Sequence, residues 1–525
     1  MNNGNRTTYF VSDERMLLHK NEWDEHHIET PERLASILKM LRAEGVLEKC
    51  TILDSKYATL DDILLVHSQH LIDEFRSTQF MDLLKLEEFS ATKEDVYVNQ
   101  HSYESALLAA GSSLHLLETV LANPGSNGFA AVRPPGHHAS YDDPCGFCIF
   151  NNIALCAKKA RKSGLERVLI LDWDVHAAQG TQYCIENDDG IKLISIHRYE
   201  HGNFWPELAE SAVKQPYKNT INIPLNDIGY GDAEYAAIMN LFVLPIIVAW
   251  EPQLIVVSCG YDAAIGDPQG EMNVSPGGYA FMTGALASLN IPLVLFLEGG
   301  YFIHSVALGS LYTMNALIQR SQLDLNLDIS KPDKKFMAFL EYIISTYAAS
   351  YDVFSVWSSS LNYYRKKHKL SKPEMIGDEF KGNKILPIPY PTRGLYTPRT
   401  EAQTRAFDGL IAIQIARYKT PFPEKEKLYS NYDDISSIFN IANISIKVDS
   451  DAQFRVIFNY LLIPLSFIYE VIFTFNGEAQ IMNNGLYRTV NCRISKTKVK
   501  TSTEFFEKIT EILNAYEFIK EYLVV

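Results

Sequence analysis

This sequence predicts an α/β fold built on a mainly parallel sheet, with a smaller α/β domain after it. Three observations carry that reading. Between about 104 and 310, stretches of helical periodicity alternate with short runs that are apolar at nearly every position. Strands apolar on both faces need cover on both sides, which a parallel sheet between two helix layers provides. Finally, 525 residues are too many for one ordinary core.

The elements follow in order. Residues 104–122 read as a helix stopped by Asn123-Pro124-Gly125, and 152–163 as a second closed by Gly164. Strand-like runs cover 167–172, 192–197, 253–259 and 292–298, with helical stretches at 233–250 and 278–289. In such sheets ligands bind beyond the carboxyl ends of the strands, so strand ends are the place to look for chemistry. Polar residues at 321–324 and 331–335 mark a boundary, giving domains 1–325 and 326–525. The second opens on a long helical segment, 336–367.

The second domain reads as a degenerate half-copy of the first. DAEYAAIMNLFVLPIIVAWE (232–251) aligns without gaps on DAQFRVIFNYLLIPLSFIYE (451–470). LISIHRYEHGNFWPE (193–207) matches LIAIQIARYKTPFPE (410–424) in its leading strand and closing Pro-Glu. Strands are therefore expected at 410–414 and 471–475. The other reading is an unrelated accessory α/β domain.

Composition excludes several classes. Hydrophobic content of 47% with 21% charged residues describes a soluble globular chain, not a disordered or fibrous one. A net charge of −15 without a dense basic stripe argues against direct nucleic-acid binding and suits a basic partner or cationic substrate. Seven cysteines are sparse and odd in number, which points to a reducing compartment; Cys145 and Cys148 read as buried thiols rather than a zinc knuckle. No signal peptide opens the sequence, and its longest uncharged apolar run, 460–469, is about half a membrane span. The expectation is a cytoplasmic or nuclear protein.

Three constellations carry chemistry. In Leu169-Ile170-Leu171-Asp172-Trp173-Asp174-Val175-His176, an apolar strand runs into alternating acid, acid and imidazole, which share one face. Asp174 and His176 suit Zn²⁺, and a third ligand is available in Gly260-Tyr261-Asp262-Ala263-Ala264-Ile265-Gly266-Asp267 after another apolar strand. Two carboxylates and one imidazole leave an open position, as catalytic zinc requires; buried, hydrogen-bonded carboxylates give the same spacing. Arg133-Pro134-Pro135-Gly136-His137-His138-Ala139 puts two histidines on a turn, suited to acid–base work but also readable as a surface pair. Glu298-Gly299-Gly300-Tyr301 lets backbone approach a ligand and supplies a phenol that can donate to an oxyanion.

Taken together, RPPGHHA, GFC (146–148), DWDVH, HRYEHGNFWP (197–206), GYDAAIGDP and LEGGY occur in one order on the expected strand-end rim. That set closely resembles the class II histone deacetylases across nearly all of 8–320, and LLHKNEWDEHHIETPERL also looks like the family's opening segment. The resemblance implies the arginase/deacetylase-like three-layer α/β fold and zinc-dependent hydrolysis of the acetyl amide of acetyl-lysine in histones or other proteins. It implies Asp174, His176 and Asp267 as zinc ligands, and His138 as the base that deprotonates water and later protonates the amine. His137, held by Asp172, would be an electrostatic partner, and Tyr301 would polarise the acetyl carbonyl. Gly146, Phe147 and Phe204 would wall the channel for the lysine stem, and Asp95 would hold the substrate backbone at the rim. A structural K⁺ would rest on backbone oxygens of Asp172, Asp174, His176 and Ile196 with the Ser195 hydroxyl.

Four departures or branch features qualify the match. Where the family continues with His-Gly-Asn-Gly, this chain has Ala177-Ala178-Gln179-Gly180, which places Gln179 beside His138. Position 301 is Tyr rather than the His of the weakly active class IIa branch. In the alignment of the two halves Pro391 faces Asp174 and Arg393 faces His176, so the second domain would hold no metal and would serve partner proteins, an arrangement resembling class IIb. In the polyamine-deacetylating branch a glutamate stands two residues after the third ligand; here it is Gln269, with Glu271 two positions on, and the loop Glu25-His26-His27-Ile28 lacks an insertion. Acetyl-lysine is therefore the expected substrate. The alternatives are acetylpolyamine hydrolysis and a catalytically weak scaffold.

Overall fold

The structure, a computed structural model, describes residues 7–320, 323, 327, 332–354, 380–382, 389–397, 399–419, 438–448, 471–482, 485–495 and 523–524. The chain divides into two compact units, one of residues 1–235, 252–327 and 377–418, the other of 236–251, 328–376 and 419–525.

In the first unit eight strands form one sheet: β1 (Thr8–Val11), β2 (Thr51–Ile52), β3 (Asn127–Ala130), β4 (Val168–Asp172), β5 (Ile191–Arg198), β6 (Thr220–Leu225), β7 (Leu254–Cys259) and β8 (Leu293–Leu297). Their order is β2-β1-β3-β8-β7-β4-β5-β6, and every pairing is parallel. The runs β4, β7 and β8 are buried at every residue, as strands covered on both faces must be. Register aligns Asp172, the last residue of β4, with Ser195 of β5 and Ser258 of β7, and β5 runs on to Arg198, so the carboxyl ends of these neighbours form one edge that faces ligands.

The helices that cover the sheet are specified locally. Asn151 and Ser275 cap Asn152–Lys162 and Pro276–Ala287 by accepting from Ala154 N (2.8 Å) and Gly278 N (3.1 Å). Helix Pro276–Ala287 is buried along its whole length. By length and composition, Ser102–Ala122 and Asp232–Trp250 could each cross a membrane, although no uncharged run of that length stands out in the sequence; Ser102–Ala122 is mostly buried within the unit.

In the second unit the helix Lys334–Tyr347 begins at an Asp333 cap and buries Phe336, Phe339, Leu340, Ile343 and Ile344. Phe242 stacks on Phe354 at 5.0 Å. Four strands, β9 (Ile438–Val448), β10 (Val471–Met482), β11 (Gly485–Ser495) and β12 (Leu523–Val524), pair antiparallel in the order β10-β11-β9-β12.

These elements correct the expected half-copy. Residues 410–414, read as a strand, lie inside the helix Glu401–Lys419, and that helix begins in the first unit. Pro391 and Arg393 also belong to the first unit. The expected strand 471–475 does fall in β10, but its pairing is antiparallel, unlike that of β5 and β7. The segment 451–470 lies outside the described residues, and of 336–367 only the part to 354 is described.

Candidate active site

The strand-end edge gathers the chemistry. Backbone N–H groups hold Asp174: its Oδ1 accepts from His176 N (2.9 Å) and its Oδ2 from Gly299 N (2.8 Å). A Cβ on Gly299 would collide with the carboxylates of Asp262 and Asp174, so only glycine lets β8 turn this close. His176 Nδ1 lies 3.1 Å from Asp174 Oδ1 and 3.2 Å from Asp262 Oδ2. Asp262 Oδ1 in turn accepts from Val175 N at 2.7 Å.

Asp174, His176 and Asp262 bring one ligand atom each to within 4.8 Å of one another, and so do His137, His138 and Asp174. The expected third ligand, Asp267, is in neither cluster. Its Oδ1 accepts from Gln269 N (2.8 Å) and Gly270 N (3.3 Å), and its Oδ2 from Tyr301 N (2.6 Å) and Phe302 N (3.2 Å). Four backbone donors occupy its lone pairs. In the motif Gly260–Asp267 the acid nearest the other two is thus Asp262, which the resemblance did not nominate.

Electrostatics support a cation here. Burial, then Asp174, raises the Asp262 pKa; burial, then Asp262, raises that of Asp267. Burial alone would lower the His176 pKa, but its bonds to Asp174 and Asp262 raise it to about 9. Carboxylates crowded in a dry site repel one another, and a divalent ion relieves that repulsion. The donor set of imidazole and carboxylate oxygens is one zinc accepts.

The two histidines are held differently. His137 Nδ1 bonds Asp172 Oδ2 at 2.9 Å, whereas His138 Nδ1 bonds Gln179 Oε1 at 2.7 Å. Burial opposes charge on both. Asp174 and Asp172 overcome it at His137 and raise its pKa well above the usual value, while His137 and His176 add to it at His138 and lower its pKa. Glu298, not singled out from sequence, fixes their turn by accepting from Gly136 N (2.7 Å) and His137 N (3.1 Å). Ser195, expected at a K⁺ site with Ile196, bonds His197 Nδ1 at 2.8 Å.

A cleft lined by Asp95, His138, Gly146, Phe147, His176, Trp205, Gln269, Tyr301 and Tyr396 leads to this floor. Phe204, expected as a wall, stacks on His176 at 5.3 Å under the Arg198 guanidinium, and its neighbour Trp205 lines the cleft instead. The pair lies in a turn, where periodicity does not say which ring faces the cleft, so Asn203-Phe204-Trp205 left the choice open. Trp205 meets His138 edge-on at 4.5 Å. A Cβ on Gly146, at φ 51°, would sit 2.6 Å from the Trp205 ring and 2.7 Å from His138 Cδ2, which fixes glycine there. Tyr301 meets Phe147 edge-on at 5.6 Å, with Arg33 5.1 Å from its ring centre. Tyr396 gave no signal in the sequence.

Comparison with known proteins agrees with this geometry. The family described as "Histone deacetylase domain" matches residues 27–317. Human "Polyamine deacetylase HDAC10" is 40% identical over 320 residues, covering 59% of this chain and 48% of that relative. "Histone deacetylase 6" of Caenorhabditis elegans is 37% identical over 314 residues, covering 57% of this chain and 33% of that relative. The crystal structure of the HDA15 HD domain superposes with a TM-score of 0.62 at 31% identity, over 69% of this chain and 99% of that one. The chain spans about half the length of the HDAC10 relatives it matches. With a family match over more than half its residues, on a parallel α/β sheet whose strand ends carry the buried Asp/His floor, the chain belongs to the class II histone deacetylase family.

Proposed function

We propose that this chain is a zinc-dependent amide hydrolase that removes acetyl groups from lysine side chains of proteins, on histone tails or in the cytoplasm. One observation carries the reading: His138, Tyr301 and, from the Asp/His cluster, His176 line a single cleft walled by Phe147 and Trp205. Zinc, held by Asp174 and His176 with Asp262 or Asp267, would supply Lewis acidity that polarises a carbonyl and acidifies water. Gln179 holds His138 Nδ1 and leaves Nε2 for the cleft, where it takes the proton of the attacking water and returns it to the leaving amine. His137, paired with Asp172, carries the positive charge beside it. The Tyr301 phenol donates to the developing oxyanion. Phe147 and Trp205 admit a slender aliphatic stem. K⁺ on Ser195, Ile196 and the backbone of Asp172, Asp174 and His176 would brace the end of β4 against β5.

The substrate assignment rests on charge at the mouth. Gln269 lines the cleft and is neutral. Glu271, the next acid along the motif, turns to Arg198 at 3.7 Å and does not line the cleft. The HDAC10 relatives are named for polyamines, and a carboxylate at this mouth is what an acetylpolyamine's distant ammonium would need. At about 4 Å and an effective dielectric near 20, such a pair is worth on the order of 4 kcal/mol before desolvation, and a third of that shifts selectivity about tenfold. Acetyl-lysine peptides should therefore exceed N8-acetylspermidine in kcat/KM, and Gln269→Glu should move the ratio about tenfold toward the polyamine. Wild-type preference for the polyamine would refute the assignment.

A further inference from the structure

The family match ends at residue 317, yet the chain comes back to the cleft further on. Within the first unit, described residues between 380 and 408 touch loops and helices around the mouth. Lys381 N donates to His201 O at 2.6 Å, on the loop that carries Trp205. Tyr390 N donates to Ala91 O (2.8 Å), Trp23 Nε1 to Thr392 O (3.0 Å), and Gly394 N to Asp24 Oδ2 (2.9 Å). Arg393 forks onto both oxygens of Glu87 at 2.6 and 2.7 Å. Beyond Tyr396, Arg399 donates to Gly266 O, and His304 Nδ1 meets Asp408 Oδ1 at 2.6 Å. Anchors on both sides of Tyr396 hold that residue over the opening.

Tyr396 itself reaches inward. Its phenol donates to the Asp95 carboxylate, and its ring meets His27 at 5.1 Å and Phe147 at 6.1 Å, both edge-on. Asp95 and Phe147 each hold a left-handed backbone, φ 51° and 67°, and Phe147 N donates to Asp95 O at 2.8 Å. Such conformations persist where the surroundings over-determine them, so Asp95 is fixed in place rather than free to swing. In the lysine-deacetylase reading, Asp95 is the acceptor for the N–H groups of a peptide lying across the mouth. An acetylated side chain entering alone does not need it.

We propose that Tyr396 is a specificity-determining residue: by occupying the Asp95 carboxylate from a strap downstream of the family match, it makes peptide substrates compete with the enzyme's own chain. This deepens the lysine-deacetylase reading and rests on it. Peptides enter by displacing the phenol, whereas an acetylated alkylamine with no backbone amide passes beneath it. A partner or modification that lifts the strap would raise peptide turnover selectively.

The test compares an acetyl-lysine peptide with N-pentylacetamide, which has the acetylated side chain and no backbone N–H, on the full chain loaded with zinc. Removing one hydrogen bond to a charged group should, in Tyr396→Phe, raise the ratio of kcat/KM for the peptide over that for N-pentylacetamide roughly tenfold or more, with the change in the peptide's KM rather than in kcat. Arg393→Glu, which repels Glu87 far from the chemistry, should raise the same ratio, and the charge swap Glu87→Arg with Arg393→Glu should return it. A ratio that stays flat or falls in Tyr396→Phe overturns the proposal, since Tyr396 would then be inert or would help hold the peptide. If Arg393→Glu fails to fold, Tyr396→Phe alone decides. Wild-type preference for N8-acetylspermidine would refute the substrate assignment while leaving the strap ratio readable, so the two failures are distinct.

Discussion

The floor of the cleft and its mouth are held by opposite means. Behind the floor, Glu29 accepts from Arg33 (2.8 Å) and from Arg133 at both oxygens (2.7 and 2.6 Å), and all three side chains are fully buried. The arginines extend the network: Arg133 donates to the carbonyls of Met16 and His19, and Arg33 to those of Glu298 and Gly300, the turn that presents Tyr301. Breaking one partner of such a buried set typically costs about 3–5 kcal/mol, because a charge is left uncompensated. At the mouth, Arg393 with Glu87 and His304 with Asp408 are partly exposed pairs, screened by water and salt and worth little. Rigidity is concentrated where the reacting atoms must be placed, and adjustability where the substrate is chosen. Changes at the floor should therefore alter rate for every substrate, and changes at the mouth should alter ratios.

The largest effect belongs to the metal cluster. Asp174→Asn or His176→Ala should lose bound zinc and turnover together, read by metal analysis alongside activity; full zinc retention in both variants would end the ligand assignment. The same measurement sharpens the geometry. If Asp262 is a ligand, Asp262→Asn should lose more zinc than Asp267→Asn, whose oxygens already serve four backbone N–H groups. The opposite order would mean that metal binding draws Asp267 away from that turn.

Next in size is the oxyanion donor. Tyr301→Phe should retain zinc and fold while kcat falls about 10²- to 10³-fold, roughly 2.7–4 kcal/mol, because the donor acts mainly in the transition state. The fall should be the same for the peptide and for N-pentylacetamide, as befits a residue of the floor. An unchanged kcat would remove Tyr301 from the chemistry.

What sequence reveals follows the same division. The strands β4, β5, β7 and β8 were legible because burial on both faces writes an apolar run. The strands β1 and β3 are only four residues long and β3 reads Asn-Gly-Phe-Ala, too short and too mixed to distinguish from a turn. The floor residues sit at strand ends, so DWDVH and LEGGY announce them; which acid of Gly260–Asp267 faces the metal depends on how a loop folds, and motif spacing does not fix that. The helix Glu401–Lys419 was misread because LIAIQIA is an apolar run that suits either element. Yet its start was written: Thr400 N donates to Gln403 Oε1 at 2.9 Å while Gln403 N donates to Thr400 Oγ1 at 3.3 Å, the reciprocal pair of a capping box. The meeting of Tyr396 with Asp95 spans 301 positions and has no local signature.

The smallest expected effect tests the one place where the floor departs from its family. Gln179 offers His138 Nδ1 a neutral amide oxygen at 2.7 Å. Burial, then the charges of His137 and His176, keep the His138 pKa well below its usual value, and the Gln179 bond only partly offsets them. His138 must be neutral to accept a proton, so a low pKa keeps the base available on the acid side of the profile. In Gln179→Asp a carboxylate replaces the amide and favours the imidazolium, which raises the His138 pKa. The acid limb of kcat/KM against pH should then move upward by about one unit, the size of shift a nearby opposite charge commonly produces. Both substrates should show the same displacement, since nothing at the mouth has changed. An acidward shift would mean that Gln179 does not tune the base; a shift seen with the peptide alone would place His138 outside the chemistry and make the floor, like the mouth, a determinant of choice.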